Sequence, residues 1–175
     1  MLTRSTNILN NTAITIPDGA LTLNGAELTV DPTTFDDLAL NESVTLTVHY
    51  NVYDGTNKTA ASNSFTLTAI NDAPVLDPDE KAELADATED TTYTISAADL
   101  LQGFDDVDNT TLNISGLSIS ADSAIGGSLT RSADNNSYVF RPDTNVNGVV
   151  KLSYFVTDGA GGNTLATNQF TVLPV

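Results

Sequence analysis

Apolar residues alternate with Thr, Ser and other polar residues in several short segments of the chain. A period of two is typical of half-buried β-strands, and these segments are rich in β-branched and aromatic residues. Gly, Asn, Asp and Pro separate them at short intervals, as turns require. The predicted strands lie at 44–52, 64–68, 92–95, 112–114, 138–140, 150–156 and 169–172, and a single helical turn is predicted at 97–101. The pattern predicts an all-β chain.

An internal repeat divides the chain. Tyr-Asn-Val-Tyr-Asp-Gly at 50–55 returns as Tyr-Phe-Val-Thr-Asp-Gly at 154–159, so that Asp158 lies 104 residues after Asp54. A period of about 100 residues is the size of a β-sandwich module with about seven strands. We predict two tandem immunoglobulin-like antiparallel β-sandwich modules, at 1–70 and 77–175, joined by a linker at 71–76. The first module is shortened: it is either truncated or completed by sequence outside this chain.

Charge narrows the classes of partner. The chain carries 23 acidic and 6 basic residues among 175, a net charge of −17, which argues against nucleic acid and anionic membrane as partners. An apolar content of 40% is ordinary for globular proteins, and the absence of cysteine excludes disulfides and zinc-thiolate sites. The acidic residues form either a solvated surface or cation sites. Their clustering with Asn and Gly at turns favours cation sites.

The linker supplies the first candidate ligands. Pro74 fixes its own φ and holds Ala73 extended, so the chain leaves the preceding strand stiffly after Asn71 and Asp72. In an immunoglobulin-like sandwich the loops alternate between two poles, and two acidic loops of the second module should meet this linker. The predicted ligands there are Asn71, Asp72, Asp105, Asp106, Asp108 and Asp158, with Asp36 and Asp37 facing the junction from the first module. Packed carboxylates repel, and Ca²⁺ with its six to eight oxygen ligands offsets that repulsion.

Other acidic residues allow two interpretations. Asp54 is a further candidate calcium ligand, but Asp54-Gly55 and Asp158-Gly159 are also ordinary hairpin-turn signals, and taken alone the turn is the better explanation of each pair. Glu89 and Asp90 fall in a turn at the opposite pole of the second module. We expect them to serve a calcium ion shared with a following module, alongside Asp143, Asn145 and Asn147.

Four motifs together resemble a known family. Asn-Asp-Ala-Pro-Val at 71–75, Thr-Glu-Asp-Thr-Thr-Tyr-Thr-Ile at 88–95, Asp-Asp-Val-Asp-Asn at 105–109 and Phe-Val-Thr-Asp-Gly-Ala-Gly-Gly at 155–162 resemble the cadherin-like tandem repeats of large bacterial RTX-type surface adhesins. Residues 28–55 resemble the related VCBS repeat. The resemblance implies a calcium-stiffened extender of a secreted adhesin, located on the bacterial cell surface and supporting adhesion or biofilm formation. Its partners would be neighbouring adhesin modules.

Two further classes of function remain open at the level of sequence. The chain could be a binding module for polysaccharide, peptide or a second copy of itself, or a carboxylate-based hydrolase. The absence of Trp argues against a sugar-gripping cleft, and the sole histidine, His49, lies mid-strand without an oriented partner for a catalytic triad. We therefore expect no enzymatic activity.

Overall fold

The alternating segments become strands, and hydrogen-bonded ladders join strands that are distant in sequence. The computed structural model describes residues 7–9, 12–14, 20–24 and 27–175. The strands are β1 (Asn7–Leu9), β2 (Thr12–Ile14), β3 (Leu21–Asn24), β4 (Glu27–Val30), β5 (Ser43–Tyr53), β6 (Lys58–Thr68), β7 (Val75–Leu76), β8 (Ala87–Thr88), β9 (Tyr93–Ser96), β10 (Phe104–Asp105), β11 (Asn113–Ile119), β12 (Gly127–Arg131), β13 (Ser137–Pro142), β14 (Gly148–Thr157) and β15 (Asn163–Leu173). A 3-10 turn spans Pro32–Phe35, and the helix α1 spans Ala97–Leu101. The chain divides into two compact units, residues 1–71 and 72–175.

The first unit is built on the long hairpin of β5 and β6. Its sheet has the strand order β2-β1-β5-β6, and β3 pairs with β4 in a separate ribbon. Val44, Leu46 and Ala20 are fully buried, and the residues packed against them are Leu21, Val30, Phe35, Leu38, Phe65 and Leu67. All of the buried β5 residues lie in its first half, so the described core of this unit sits at one end of the hairpin.

The second unit is a sandwich of two main sheets. One has the order β11-β14-β15-β8 and the other β12-β13-β9, while β7 and β10 form a short ribbon. Thirteen buried residues fill the space between them, among them Phe140, Tyr154 and Phe170. The rings of Phe140 and Phe170 meet edge to face with centroids 5.3 Å apart, a preferred aromatic geometry.

Helix α1 forms where the sequence supplies a cap. Ser96 has extended backbone geometry and its hydroxyl accepts the N–H of Ala98, which satisfies one of the free donors of the first turn. Leu100 is buried, and its carbonyl accepts a 2.9 Å hydrogen bond from the hydroxyl of Tyr154 on β14. The turn thus ties the connection between the two sheets to the core.

The predicted all-β fold is confirmed: strands dominate and helix is almost absent. The strands that the alternation did not predict include β1 to β4, β8, β10 and β12. The structure also contains one parallel pairing, in which Ala87 and Thr88 of β8 lie beside Val172 and Leu173 at the end of β15. No helix in the described part of the chain is long and apolar enough to cross a membrane.

Candidate functional site

Asp106 begins a tight acidic loop of the second unit. It follows β10, and its Oδ1 accepts the backbone N–H groups of Asp108 and Asn109, each at 2.8 Å. These two bonds fold the loop around the carboxylate, so that Asp106 is only 8% exposed. Its other oxygen, Oδ2, is buried and makes no hydrogen bond to any residue that the structure describes. A buried carboxylate oxygen without a partner is costly, because burial removes its water.

Asp108 connects this loop to the first residues of the unit. Its Oδ2 accepts the backbone N–H of Asp72 at 2.6 Å, across 36 positions of sequence. The segment that follows Asp72 continues beside β15, where the hydroxyl of Thr164 donates to the carbonyl of Pro74. The first residues of the unit are therefore held against the Asp106 loop and against β15.

Asp158 lies in the turn between β14 and β15 and is only 6% exposed. Its Oδ1 accepts the N–H groups of Ala160 at 2.7 Å, and of Gly161 and Gly162 at 3.0 Å. Three such bonds hold the carboxylate in one orientation. The turn thereby presents a fixed anionic group beside the backbone of Asp72.

Gly162 lies where this turn meets the incoming chain. A Cβ built on Gly162 would collide with Oδ2 of Asp158, and it would lie 2.5 Å from the carbonyl oxygen of Asp72. A contact of that length is too short for any side chain, so only glycine lets the turn pack this closely against the backbone of Asp72 and Ala73. The N–H of Gly162 also donates to Oδ2 of Asp158 at 3.0 Å, so the glycine joins that carboxylate to the incoming chain.

These residues suit a hard cation in their chemistry. Asp72, Asp106, Asp108 and Asp158 offer carboxylate and carbonyl oxygens, the donors that Ca²⁺ takes at 2.3–2.6 Å. The unpartnered Oδ2 of Asp106 fits such an ion. Among the described residues, however, no three acidic or histidine side chains form a ready-made metal centre. A bound ion would therefore need backbone carbonyls or water to complete its shell.

The remaining predicted ligands of the second unit lie apart from this group. Asp105 is exposed, and its backbone pairs with Val75 in the ribbon of β10 and β7. Glu89 and Asp90 follow β8 at the far end of β15, roughly 35 Å from Asp158 at about 3.3 Å per residue. There Glu89 accepts the N–H of Val175 through Oε1, and Asp90 accepts that of Asn145 through Oδ1, each at 3.0 Å.

The other predicted ligands belong to the first unit. Asp36 and Asp37 directly follow the 3-10 turn, near the start of β5, and Asn71 is the last residue of that unit. Asp54 lies at the other end of β5, where Oδ1 accepts the N–H groups of Thr56 at 2.8 Å and Asn57 at 2.7 Å. These bonds, that of Asn57 first, lower the pKa of the Asp54 carboxyl. Asp54 thus acts as a turn residue.

Gly162 is not among the site residues that the sequence predicts. The run of glycines at 159–162 indicates a loop, and nothing in it marks the one glycine that approaches a carboxylate and a carbonyl. That distinction depends on Asp72, which is distant in sequence. The backbone oxygen of Asp72 was equally invisible to a search for ligating side chains.

Comparison with known proteins identifies the second unit. No curated protein matches the chain in sequence. Two solved structures of the endo-fucoidan hydrolase MfFcnA4 from glycoside hydrolase family 107, a variant and its parent, are 19% identical to it, with TM-scores of 0.40 and 0.39. Each covers the whole of this chain, which spans 24% and 23% of their length. The model of the cadherin-like domain matches residues 70–173. The match covers more than half of the sequence, so the chain belongs to the cadherin-like domain family.

Proposed function

We propose that this chain is a calcium-stabilised extender of a secreted bacterial cell-surface adhesin, with no enzymatic activity. A cadherin-like domain fits an adhesion or extender module in general. The observation that carries the calcium proposal is the buried, unpartnered Oδ2 of Asp106 within the described residues. Asp72, Asp108 and Asp158 lie on the segments around it.

These residues would hold the ion through carboxylate and carbonyl oxygens. A bound Ca²⁺ supplies the positive charge that offsets repulsion among the carboxylates. The protein prepares the site in advance: the backbone bonds to Asp106 and Asp158 fix both carboxylates before any ion arrives. Extracellular modules bind calcium with a Kd of about 10⁻⁴ to 10⁻³ M, so such a site fills outside cells and empties inside them.

The wider context of the proposal comes from the sequence motifs. Their resemblance to repeats of RTX-type adhesins, and of residues 28–55 to VCBS repeats, supports a role in adhesion or biofilm formation with neighbouring modules as partners. Labelling of intact cells with an antibody against this chain tests the surface location. Labelling that appears only after lysis would contradict it.

Thermal unfolding with and without calcium tests the ion itself. A ligand that binds only the folded state adds RT ln(1 + [L]/Kd), about 2.7 kcal/mol at a hundredfold excess over Kd. For a domain of this size that free energy raises the melting temperature by about 10–20 °C. We expect this rise in calcium over chelator, and a much smaller one in magnesium, which prefers a rigid octahedron and keeps its water.

A pair of matched variants makes the experiment specific. Asp106→Asn keeps the Oδ1 acceptor and removes the charge, so we expect it to lose most of the calcium-induced rise. Asp134→Asn is the control, because Asp134 is also a loop aspartate that accepts a backbone N–H, from Asn136 at 3.1 Å. An unchanged melting temperature in calcium, or equal calcium responses of the two variants, would refute a calcium site at Asp106.

A further inference from the structure

The outer half of the β5–β6 hairpin is exposed on both of its faces. The buried positions of β5 end at Leu46, and all residues from His49 to Ala60 are exposed. Tyr50 is 37% exposed and Val52 is 55% exposed. Both continue the row of Val44 and Leu46, which is the side of the strand that faces the core. The apolar, core-facing side of β5 thus extends beyond the described core.

The second unit contains the same hairpin in a covered form. Tyr50 pairs with Ala61 in β5–β6, just as Tyr154 pairs with Ala166 in β14–β15. Val52 pairs with Thr59, as Val156 pairs with Thr164. Tyr154 and Val156 are 1% and 0% exposed. The repeat therefore shows the apolar row of this hairpin packed beneath a second layer.

In the second unit this row packs into the core beneath α1, which follows β9 of the opposite sheet. The carbonyl of Leu100 on α1 accepts the hydroxyl of Tyr154, and β11 flanks β14 in the same sheet, with Ile114 paired to Val156. Among the described residues of the first unit, no α-helix lies over Tyr50 and Val52, and β1 flanks β5 only at Val44 and Thr45. The row of half-buried Val48 and exposed Tyr50 and Val52 therefore lacks the cover that its counterpart has.

Charge favours a second copy of this chain as the occupant. With a net charge of −17, most surfaces of this chain repel the same surface on a second copy. Residues 43–68, however, contain only one acidic residue, Asp54. Asp54 lies at the tip of the hairpin. When two hairpins pack antiparallel, the two tips lie at opposite ends of the interface and their carboxylates stay apart. The same apolar row then meets itself, as a two-fold interface requires.

We propose that the row of Val48, Tyr50 and Val52 packs face to face with the same row of a second copy, which forms a two-fold symmetric dimer. The two hairpins make a small sandwich in the manner of packed β-sheets. The exposed half of each strand is roughly 17 Å long, so the interface is small and the dimer is a weak one. The proposal is independent of calcium.

Sedimentation over a range of concentrations up to about 1 mM, a range suited to weak dimers, tests the proposal. We expect the average mass of the full chain to rise from 18.3 kDa towards twice that value, in chelator and in calcium alike. Tyr50→Ser and Val52→Asp place polar or charged groups in the interface, and we expect both variants to stay monomeric. Asn51→Thr is the matched control, because residue 51 is equally exposed but points to the opposite face of the strand.

Three results would overturn the dimer. One is a wild-type chain that remains monomeric throughout the range, and another is a Val52→Asp variant that associates as strongly as the wild type does. A mass that grows without stopping at two copies would show edge-to-edge pairing of strands instead of a closed two-fold contact. Circular dichroism of each variant verifies that the β-structure is retained, so a monomeric variant reflects the interface and not unfolding.

Discussion

The buried polar residues of the second unit differ in how completely their polar atoms are hydrogen-bonded. Asp158 and Asn168 accept or donate several hydrogen bonds, whereas Oδ2 of Asp106 has no partner among the described residues. Tyr154 is the largest of the fully buried side chains, and its hydroxyl finds a buried carbonyl. A satisfied polar atom stabilises the fold, whereas a buried unsatisfied one is costly unless water or an ion binds it.

Replacement of Tyr154 tests this at the level of one atom. Tyr154→Phe removes the hydroxyl and leaves the carbonyl of Leu100 without that donor, so we expect a loss of about 1–3 kcal/mol in unfolding free energy. Urea unfolding measures the loss. Tyr53→Phe is the control: its hydroxyl donates to Gly55 at an exposed position, and we expect a change within about 0.5 kcal/mol. Equal effects of the two variants would contradict the role of burial.

The same residue makes stability depend on pH in alkali. Burial raises the pKa of Tyr154 from 10.0 to about 12. Below pH 10 the phenol is neutral in both states and its contribution is complete. As the pH rises from 10 towards 12 the unfolded chain ionises first, so the folded state loses stability. We expect the stability difference between wild type and Tyr154→Phe to narrow over that range, and a constant difference would contradict it.

Asn168 attaches an irregular segment to a strand. It is buried in β15, where its side-chain amide donates to the carbonyl of Ala82 and its Oδ1 accepts the N–H of Gln169. The equivalent residue in the repeat is Asn63 on β6, which is exposed. The same residue type therefore has a structural role in one hairpin and a solvated position in the other.

Substitution of these two asparagines should separate the roles. We expect Asn168→Ala to cost about 1–3 kcal/mol, because the half-buried carbonyl of Ala82 and the N–H of Gln169 lose their partner, and to speed amide hydrogen exchange in the segment around Ala82. Asn63→Ala should change the unfolding free energy by less than about 0.5 kcal/mol. Unchanged exchange around Ala82 in Asn168→Ala would show that other contacts hold that segment.

The strands that sequence predicts and those that it misses differ in their physical origin. β5 and β14 alternate apolar and polar residues, and this pattern predicts both strands. The apolar residues at 97–101 predict α1. β12 has no such pattern, and it forms because Leu129 and its neighbours pair with β13. β3 and β4 escaped notice although Asn24-Gly25 between them is a hairpin signal. The alternation of loops between the two ends of a sandwich predicts that the acidic loops meet at Asp72. The roles of the Asp72 backbone and of Gly162 could not be predicted, because they depend on contacts between segments that are distant in sequence.

The two units differ greatly in the size of their cores. The second has thirteen buried residues in one apolar cluster, and the first has three among those that the structure describes. A smaller core contributes less to the free energy of folding, because apolar burial is the main favourable term. The units should therefore differ in thermal stability.

Calorimetry of the whole chain tests this difference. We expect two transitions, with the first unit unfolding at the lower temperature. Calcium should raise only the upper transition, because the candidate ligands Asp106, Asp108 and Asp158 all belong to the second unit. A single transition would show that the units unfold together. A calcium shift confined to the lower transition would assign the ion to the first unit.

The position of the ends of the second unit has a mechanical consequence. The chain enters beside the start of β15, where Asp72 binds Asp108, and leaves beyond its end, where Val175 binds Glu89. Tension between the ends therefore acts along β15, parallel to its strand axis. β14 pairs with β15 at ten positions, and β8 clamps the last two residues of the strand. Because a pull along the axis loads these hydrogen bonds together and does not open them one by one, we expect the sandwich to resist extension in shear.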